Sequence, residues 1–555
     1  MSRPKLFTRL TYLLLILTFM CSVASVAIPG EKKVNAAPSV VWVDNDAPAG
    51  WYADPTHFNK IQSGITAVSI PGTVYVSSGT YQENITMKDK VQVLGAGAAV
   101  TIIDGGKADS VVKASNVEAT TKLDSFTITN GEAYLGGGIN LSHSSLSIND
   151  CIFSNNSASG SGGGIYNSHS SPTITDCIFE GNTAGFPSSV GYGGGMYNRE
   201  SSFPIVTNCI FSNNSARHYG GAIQNSMSSP TLRDCIFNGN SAGDSGITAY
   251  GGGVHNIWSS PTILNCIFIN NSATQHGGGL CNVDHSSPTV TNCVFWGNSA
   301  TYYGGGIFSD CYTSLPTITN CILANNTVSY SSGGGGLHSW NGSPLADYNN
   351  LWSNSPNNYG GDAIAGIHDI SQDPMFTDPL VQDFHLISGS PCIDAGTNAG
   401  TPTEDKDGEP RPIDGNWDGT ATTDMGAYEY MPVLPVDFYA TQTIGPTPLE
   451  IQFINQTPAD FSSWSWDFGD GDTSNQQNPT HIYNRPGPFT VNLTINSISG
   501  RGTETKVDYI HPYTQGVGGK AYPLNKLAIL APWIASSIAF IASSFIVFRR
   551  YSSQD

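Results

Sequence analysis

Charge is scarce in this chain, and lysine is scarcer still. Asp, Glu, Lys and Arg make up 12% of the 555 residues, and acids so outnumber bases that the formal net charge is −20. Between Gly131 and Leu345 there is no lysine, and the only arginines are Arg199, Arg217 and Arg233. Such a surface repels phosphate backbones, which excludes nucleic acid as a partner and leaves neutral glycans open. No HExxH, GxSxG or zinc-spaced histidine cluster occurs. Helical periodicity is missing from the repeated middle of the chain.

What is present instead is a repeat. Cys151, Cys177, Cys209, Cys235, Cys266, Cys293 and Cys321 recur every 26 to 32 residues, each preceded by Asn or Asp. Five residues after each stands an asparagine: Asn156, Asn182, Asn214, Asn240, Asn271, Asn298 and Asn326. A fixed period of this length means stacked supersecondary units, each burying its apolar face against the next.

One unit, Gly162 to Ala184, reads GGGIYNSHSSPTITDCIFEGNTA. Its β-branched runs flank Asp176, and Asn or Asp tolerates a left-handed backbone there. Strand, one-residue bend, strand, with Ile165 on a third strand, makes one three-sided turn of a coil. Stacked in parallel, the turns bury Ile165, Ile174, Cys177 and Phe179, and the second asparagines form an amide ladder. Length variation falls between the NSA and GGG segments, so that corner carries the loops.

The motifs GGGIYN, SPTITNCIF-like and NNSA resemble the right-handed parallel β-helix, the pectin-lyase-like fold, in a family of repeat surface proteins. The likeness is specific over about Gly136 to Pro344. Val41–Gly106 resembles the opening coils, and Asp373–Tyr430, with DKDGEPRPIDGNWDG and DMGAYEY, resembles the segment that closes such helices. From about Pro435 to Tyr513, alternating strands surround Trp466-Asp467-Phe468-Gly469-Asp470-Gly471 and Asn478-Pro479-Thr480-His481-Ile482-Tyr483. This spacing is similar to a PKD domain, an immunoglobulin-like β-sandwich. Trp466 and Phe468 then alternate inward, and Asp470-Gly471 makes a turn or, alternatively, takes part in a ligand or cation site.

The ends suggest export and anchoring. Arg3, Lys5 and Arg9 precede an apolar stretch from Tyr12 to Ala27, the pattern of a secretory signal peptide with cleavage after Ala27 or Ala37. Cys21 lacks the small preceding residue of a lipidation site. Leu527–Phe548 is apolar and long enough to cross a bilayer, and Arg549 and Arg550 place the tail inside. No LPxTG precedes it. The expected organisation is therefore all-β: 1–37 signal peptide, 38–135 opening coils, 136–345 repeat coils, 346–430 closing segment, 431–515 PKD domain, 516–526 linker, 527–548 anchor and 549–555 cytoplasmic tail.

Enzymes of the resembled fold need clustered charge. Lyases use calcium-holding acids and a basic residue; hydrolases use two carboxylates about 5–10 Å apart. Asp150, Asp176 and Asp234 sit at bends and read as structural. Asp284 and Asp310, at nearly equal offsets on neighbouring coils, are the best candidate pair, with a loop role as the alternative. No catalytic residue is assigned. The position after each aliphatic residue reads Asn140, Tyr166, Tyr197, Gln224, His255, Cys281, Phe308, His338. With the aliphatic residue inward, this row faces out. Tyr166, Tyr197, His255, Phe308 and His338 are thus candidate glycan-binding residues, or rings that merely cover their strand. Asp405, Asp407, Asp414, Asp418 and Asp424 are candidate calcium ligands, with a plain acidic loop as the alternative, and no EF-hand register fits. Scattered histidines such as His143, His169 and His276 read as solvent-facing. The cysteine ladder reads as buried thiols, with Cys281 and Cys311 as a candidate pair. The expected function is adhesion to glycans or surface components; the alternatives are an extracellular polysaccharide-degrading enzyme or a structural envelope protein.

Overall fold

The computed structural model describes residues 37–185, 189–244, 246–457, 463–497 and 500–515. It divides into two units at Tyr430 and Met431. The signal peptide, the 527–548 span and Cys21 lie outside the described residues. Among the described residues no helix is long and apolar enough to cross a membrane.

The first unit is a right-handed parallel β-solenoid. Its coils carry four strands where the sequence suggests three. The parallel sheets hold 13, 11, 8 and 11 strands. In the unit read above, the first sheet takes Thr173–Thr175, the second Ile178–Glu180, the third Thr183–Ala184 and the fourth Ile165–Ser168. The third sheet is the unexpected one, because its strands shrink to a Ser-Ala or Thr-Ala pair. A second left-handed residue makes its corner: Asn155, Asn213, Asn270 and Asn325, or Gly181, Gly239 and Gly297 in other coils. The expected corner is also present, with Asp150, Asp176, Asn208, Asp234, Asn265, Asn292 and Asn320 all at φ between 48° and 57°. The longest insertions lie where expected, between Ala184 and Tyr192 and between Ala242 and Tyr250.

Three side-chain ladders hold the coils in register. Phe153, Phe179, Phe211, Phe237, Phe268 and Phe295 stack face to face with centroids 4.4 to 5.1 Å apart. Asn182 Nδ2 donates to Asn214 Oδ1 at 2.9 Å and to the Phe153 carbonyl at 2.9 Å, while its Oδ1 accepts from the Asn156 backbone and side chain. Every donor and acceptor of this buried amide is thereby used, which is what allows an uncharged polar group to sit in the core. The ladder cysteines are buried free thiols. Burial pushes the thiols of Cys177, Cys209, Cys266 and Cys293 well above the usual range.

The closing segment does more than end the stack. It folds back as a strap over the outer face of the second sheet in the later coils. There Ile267, Ile269, Val294, Ile322 and Ala324 pack against Phe384, Leu386, Cys392, Met425 and Ala427. The strap also reads the bends. Asn265 donates to the Glu404 carbonyl, Asn292 to the Asp424 carbonyl and Asn320 to the Thr397 carbonyl, at 2.8 to 2.9 Å. Lys406 donates to the Asp234 carbonyl.

The second unit has two sheets. One joins Phe438–Ala440, Leu449–Asn455 and Thr480–Tyr483; the other joins Ile444–Pro446, Gly500–Tyr513, Phe489–Ser497, Ser463–Asp467 and Thr473–Ser474. Trp466 and Phe468 point into its core as expected.

Candidate functional site

The row expected to face solvent is covered. Tyr166 and Tyr197 retain 6% and 7% of their exposure, and His255, Phe308 and His338 retain 2% or less. The cover is a further column: Tyr192, Tyr219, Tyr250, His276 and Tyr303, each just before a glycine triplet or, after Tyr219, Gly-Gly-Ala, and each bridged in parallel to the next. The first glycine of the triplet, Gly193 for instance, has φ +65°. It turns the chain back so that the preceding ring lies over the outward row. Tyr219 covers His255 at 4.9 Å, His276 covers Phe308 at 4.7 Å, and Tyr303 covers His338 at 4.4 Å. Burial lowers the histidines to about 3 for His255 and about 4 for His276 and His338. These rings form an outer core and offer no surface to a sugar. His276 is accordingly not solvent-facing, whereas His143 and His169 are exposed and stacked on each other. Cys281, in the same row, is buried, and it and Cys311 are free thiols.

The five candidate calcium ligands do not converge. Asp405 is buried and accepts from the backbone amides of Asp407, Glu409 and Glu429. Asp424 accepts from Asp394 and Tyr430 amides, and Asp414 and Asp418 accept from Gly419 and Thr420 amides. Asp407 pairs with His385, which Asp383 also holds, and the two carboxylates raise that imidazole to about 9. Arg411 and Glu429 form a fully buried pair at 3.4 Å, and burial pushes Glu429 up to about 7 in spite of it. These carboxylates shape the strap. Among the described residues the one group of three metal-ligating side chains in mutual reach is Asp470, Asp472 and His481 in the second unit. There His481 Nε2 lies 2.8 Å from Asp470 Oδ2 and its ring stacks on Phe468. In the repeats, Asp284 is exposed at a left-handed bend. Asp310 accepts from the Tyr312 amide and from Asn341.

An accessible site lies elsewhere, over the early coils. A groove of about 1270 Å³ runs along the outer face of the first sheet and the adjoining corner. Its walls include Tyr75, Gln92, Leu94, Lys122, Asp124, Asn149, Asp150 and Asp176. Strand register explains the set. His57, Trp42 and Tyr75 are paired in successive strands, and Leu94, Asp124, Asn149 and Thr175 continue the same row. Trp42 and Tyr75 stack at 4.7 Å, and Trp51 stacks on His57 at 3.9 Å; all four are part-exposed. Lys122 Nζ sits 2.5 Å from Asp124 Oδ2. Ser125 donates to both Asp124 and Asp150, and Asn208 donates to Asp176. The groove occupies the corner that the strap covers in later coils. Sequence reading assigned Asp150 and Asp176 to the fold alone; they serve the bend and line the groove. The usable signal for Trp42 and Tyr75 was that each stands between two valines, Val41 and Val43 or Val74 and Val76, on neighbouring strands.

Comparison with known proteins divides along the same boundary. Residues 89–295 match the family described as right handed beta helix region, and residues 431–511 match the PKD domain. Over 44 residues, 8% of this chain, the sequence is 50% identical to Collagenase ColA of Bacillus cereus; the chain spans only 4% of the length of that relative. Among solved structures it is similar to pectate lyase Pel9A, at TM-score 0.44 and 13% identity, covering 71% of this chain and 97% of that one. It is also similar to the pectin methylesterase from Aspergillus niger, at TM-score 0.24 and 12% identity, covering 64% and 92%. The chain therefore carries a right-handed β-helix region followed by a PKD domain.

Proposed function

We propose that this protein is exported, anchored in the membrane by residues 527–548, and binds polysaccharide along the groove over its early coils. The PKD domain would act as a spacer or second contact. One observation carries the binding reading: the part-exposed, strand-paired row His57–Trp42–Tyr75, in which Trp42 and Tyr75 stack, reaches a long polar groove at Tyr75. The outer edges of the Trp42 and Tyr75 rings give apolar contacts to pyranose C–H groups, and the polar side chains beyond suit the hydroxyls. Binding is favoured over cleavage because Lys122, the one cation in the groove, is held by Asp124. A base for proton abstraction would have to leave that pair.

The test is a polysaccharide-binding panel with Tyr75→Ala and Trp42→Ala beside the parent chain. Loss of about 1 kcal/mol per ring, roughly fivefold in affinity, is the expected result. Retention of full binding by both variants would remove the groove from the account. Turnover of any glycan, abolished by Lys122→Met, would replace binding by catalysis.

A further inference from the structure

The repeat provides its own control for charge in the groove. At the bend between first and second sheets, four coils carry asparagine and three carry aspartate, and all seven adopt the same left-handed conformation. The left-handed backbone is therefore indifferent to the charge, although Asn265, Asn292 and Asn320 also use their amides as donors to the strap. Asp234 is neutralised locally, by Arg233 at 3.1 Å, and Lys406 donates to its carbonyl. Asp150 and Asp176 are not: among the described residues their side chains meet only the Ser125 hydroxyl and the Asn208 amide. Both line the groove, and so does Asp124, whose single ammonium partner is Lys122. The groove thus sets three carboxylates against one ammonium, on successive coils, beside stacked rings.

We infer that the groove selects a glycan bearing free amino groups, a chain of amino sugars, over neutral chains and over polyuronides. This rests on the groove being the glycan site, as proposed above. A chain with one carboxylate per sugar would bring its charges against Asp124, Asp150 and Asp176. A chain with protonated amines would set them there favourably. Asparagine at those bends would serve the backbone equally well, and its amide oxygen could accept from Ser125 and Asn208 in the same way, so what the two aspartates add is charge, which a cationic ligand would use. A lysine-rich peptide shares the charge but not the use of the apolar ring edges at the groove's end.

Binding of a glucosamine hexamer to the full-length chain, followed by calorimetry in mildly acidic buffer, tests this. The double variant Asp150→Asn, Asp176→Asn repeats a residue found at other bends, so it folds; circular dichroism checks that. The expected result is a loss of roughly tenfold in affinity for the hexamer, shrinking at high salt as charges are screened. Tyr75→Ala should weaken the same ligand, and the N-acetylated hexamer should bind the parent less tightly. Equal binding of the N-acetylated hexamer, sensitive to Tyr75→Ala but not to the double variant, overturns the charge inference and leaves the groove standing. No saccharide affected by Tyr75→Ala overturns both. Polygalacturonate bound only with calcium, and lost in the double variant, overturns the inference in favour of a metal-bridged acid. Oligolysine bound as tightly, without dependence on Tyr75, overturns the assignment to a sugar.

Discussion

Tyr219 lies nearly parallel over His255, at 4.9 Å and 19°, while Gln224 from the coil below meets His255 Nδ1 at 2.7 Å. The other ring nitrogen is buried without a partner. Burial thus holds the imidazole neutral, with its pKa lowered from 6.5 to about 3.

The sign of the pH effect follows. The unfolded chain takes up a proton below 6.5 that the folded chain refuses, so stability is lost as pH falls from 6.5 towards 3. At pH 5 the loss from this residue is about 2 kcal/mol. Glutamine occupies the same place one coil earlier, as Gln224. His255→Gln is therefore expected to fold and to lose less stability between pH 7 and pH 5 than the parent, measured by urea unfolding. Identical pH profiles would show that His255 is not held neutral.

The Asn214 side chain makes four hydrogen bonds to three residues in the amide ladder. Its Oδ1 accepts from the Asn182 backbone and side chain, and its Nδ2 donates to the Phe179 carbonyl and to Asn240. Asn214→Ala leaves several buried groups unpaired, at a cost of about 3 kcal/mol or more. Denaturant unfolding should register that drop, whereas replacement of the exposed Asn213 should cost far less.

Cys235 is buried without being bonded to another cysteine. Cys235→Ala should cost about 1 kcal/mol and leave the fold intact. Cys235→Asp should fail to fold, because it buries an unpaired charge. Thiol titration of the denatured, unreduced protein should find the ladder cysteines reactive; complete pairing there would refute their role as small apolar residues.

Under the proposed topology a reporter fused after Asp555 is expected in the cytoplasm, because Arg549 and Arg550 directly follow the apolar span. Protease added to intact cells should remove the ectodomain and spare the reporter. Digestion of the reporter would reverse the proposed topology.

The coil was legible in the sequence because its rules are local and repeated. The bend at Asp176, the stacked Asn182 and the buried Phe179 each follow from residue type and period alone. The third sheet was not, since a strand such as Thr183–Ala184 is too short to show alternation. The covering of Tyr197 was missed for a different reason. Alternation tells which face of a sheet a residue occupies, not what lies on that face; the telling residue was Tyr192, next to Gly193. The groove escaped because Asp150 and Asp176 satisfy a backbone requirement that hides a second role, and because Tyr75 and Lys122 lie in opening coils outside the cysteine repeat.

The strap also sets an order of assembly. Coil-to-coil contacts join residues 25 to 35 apart, as between Asn156 and Asn182 or Asn214 and Phe179. Strap contacts join residues far more distant: Lys406 reaches Asp234 across 172 positions, and Asn292 reaches Asp424 across 132. Those partners exist only once the corner asparagines of several coils are already aligned. Closing so long a loop brings no reward before then. Growth of the stack therefore precedes the strap, which docks last, and a chain interrupted before residue 373 would leave the apolar flank of Ile267, Val294 and Ile322 open to any neighbour that reached it first.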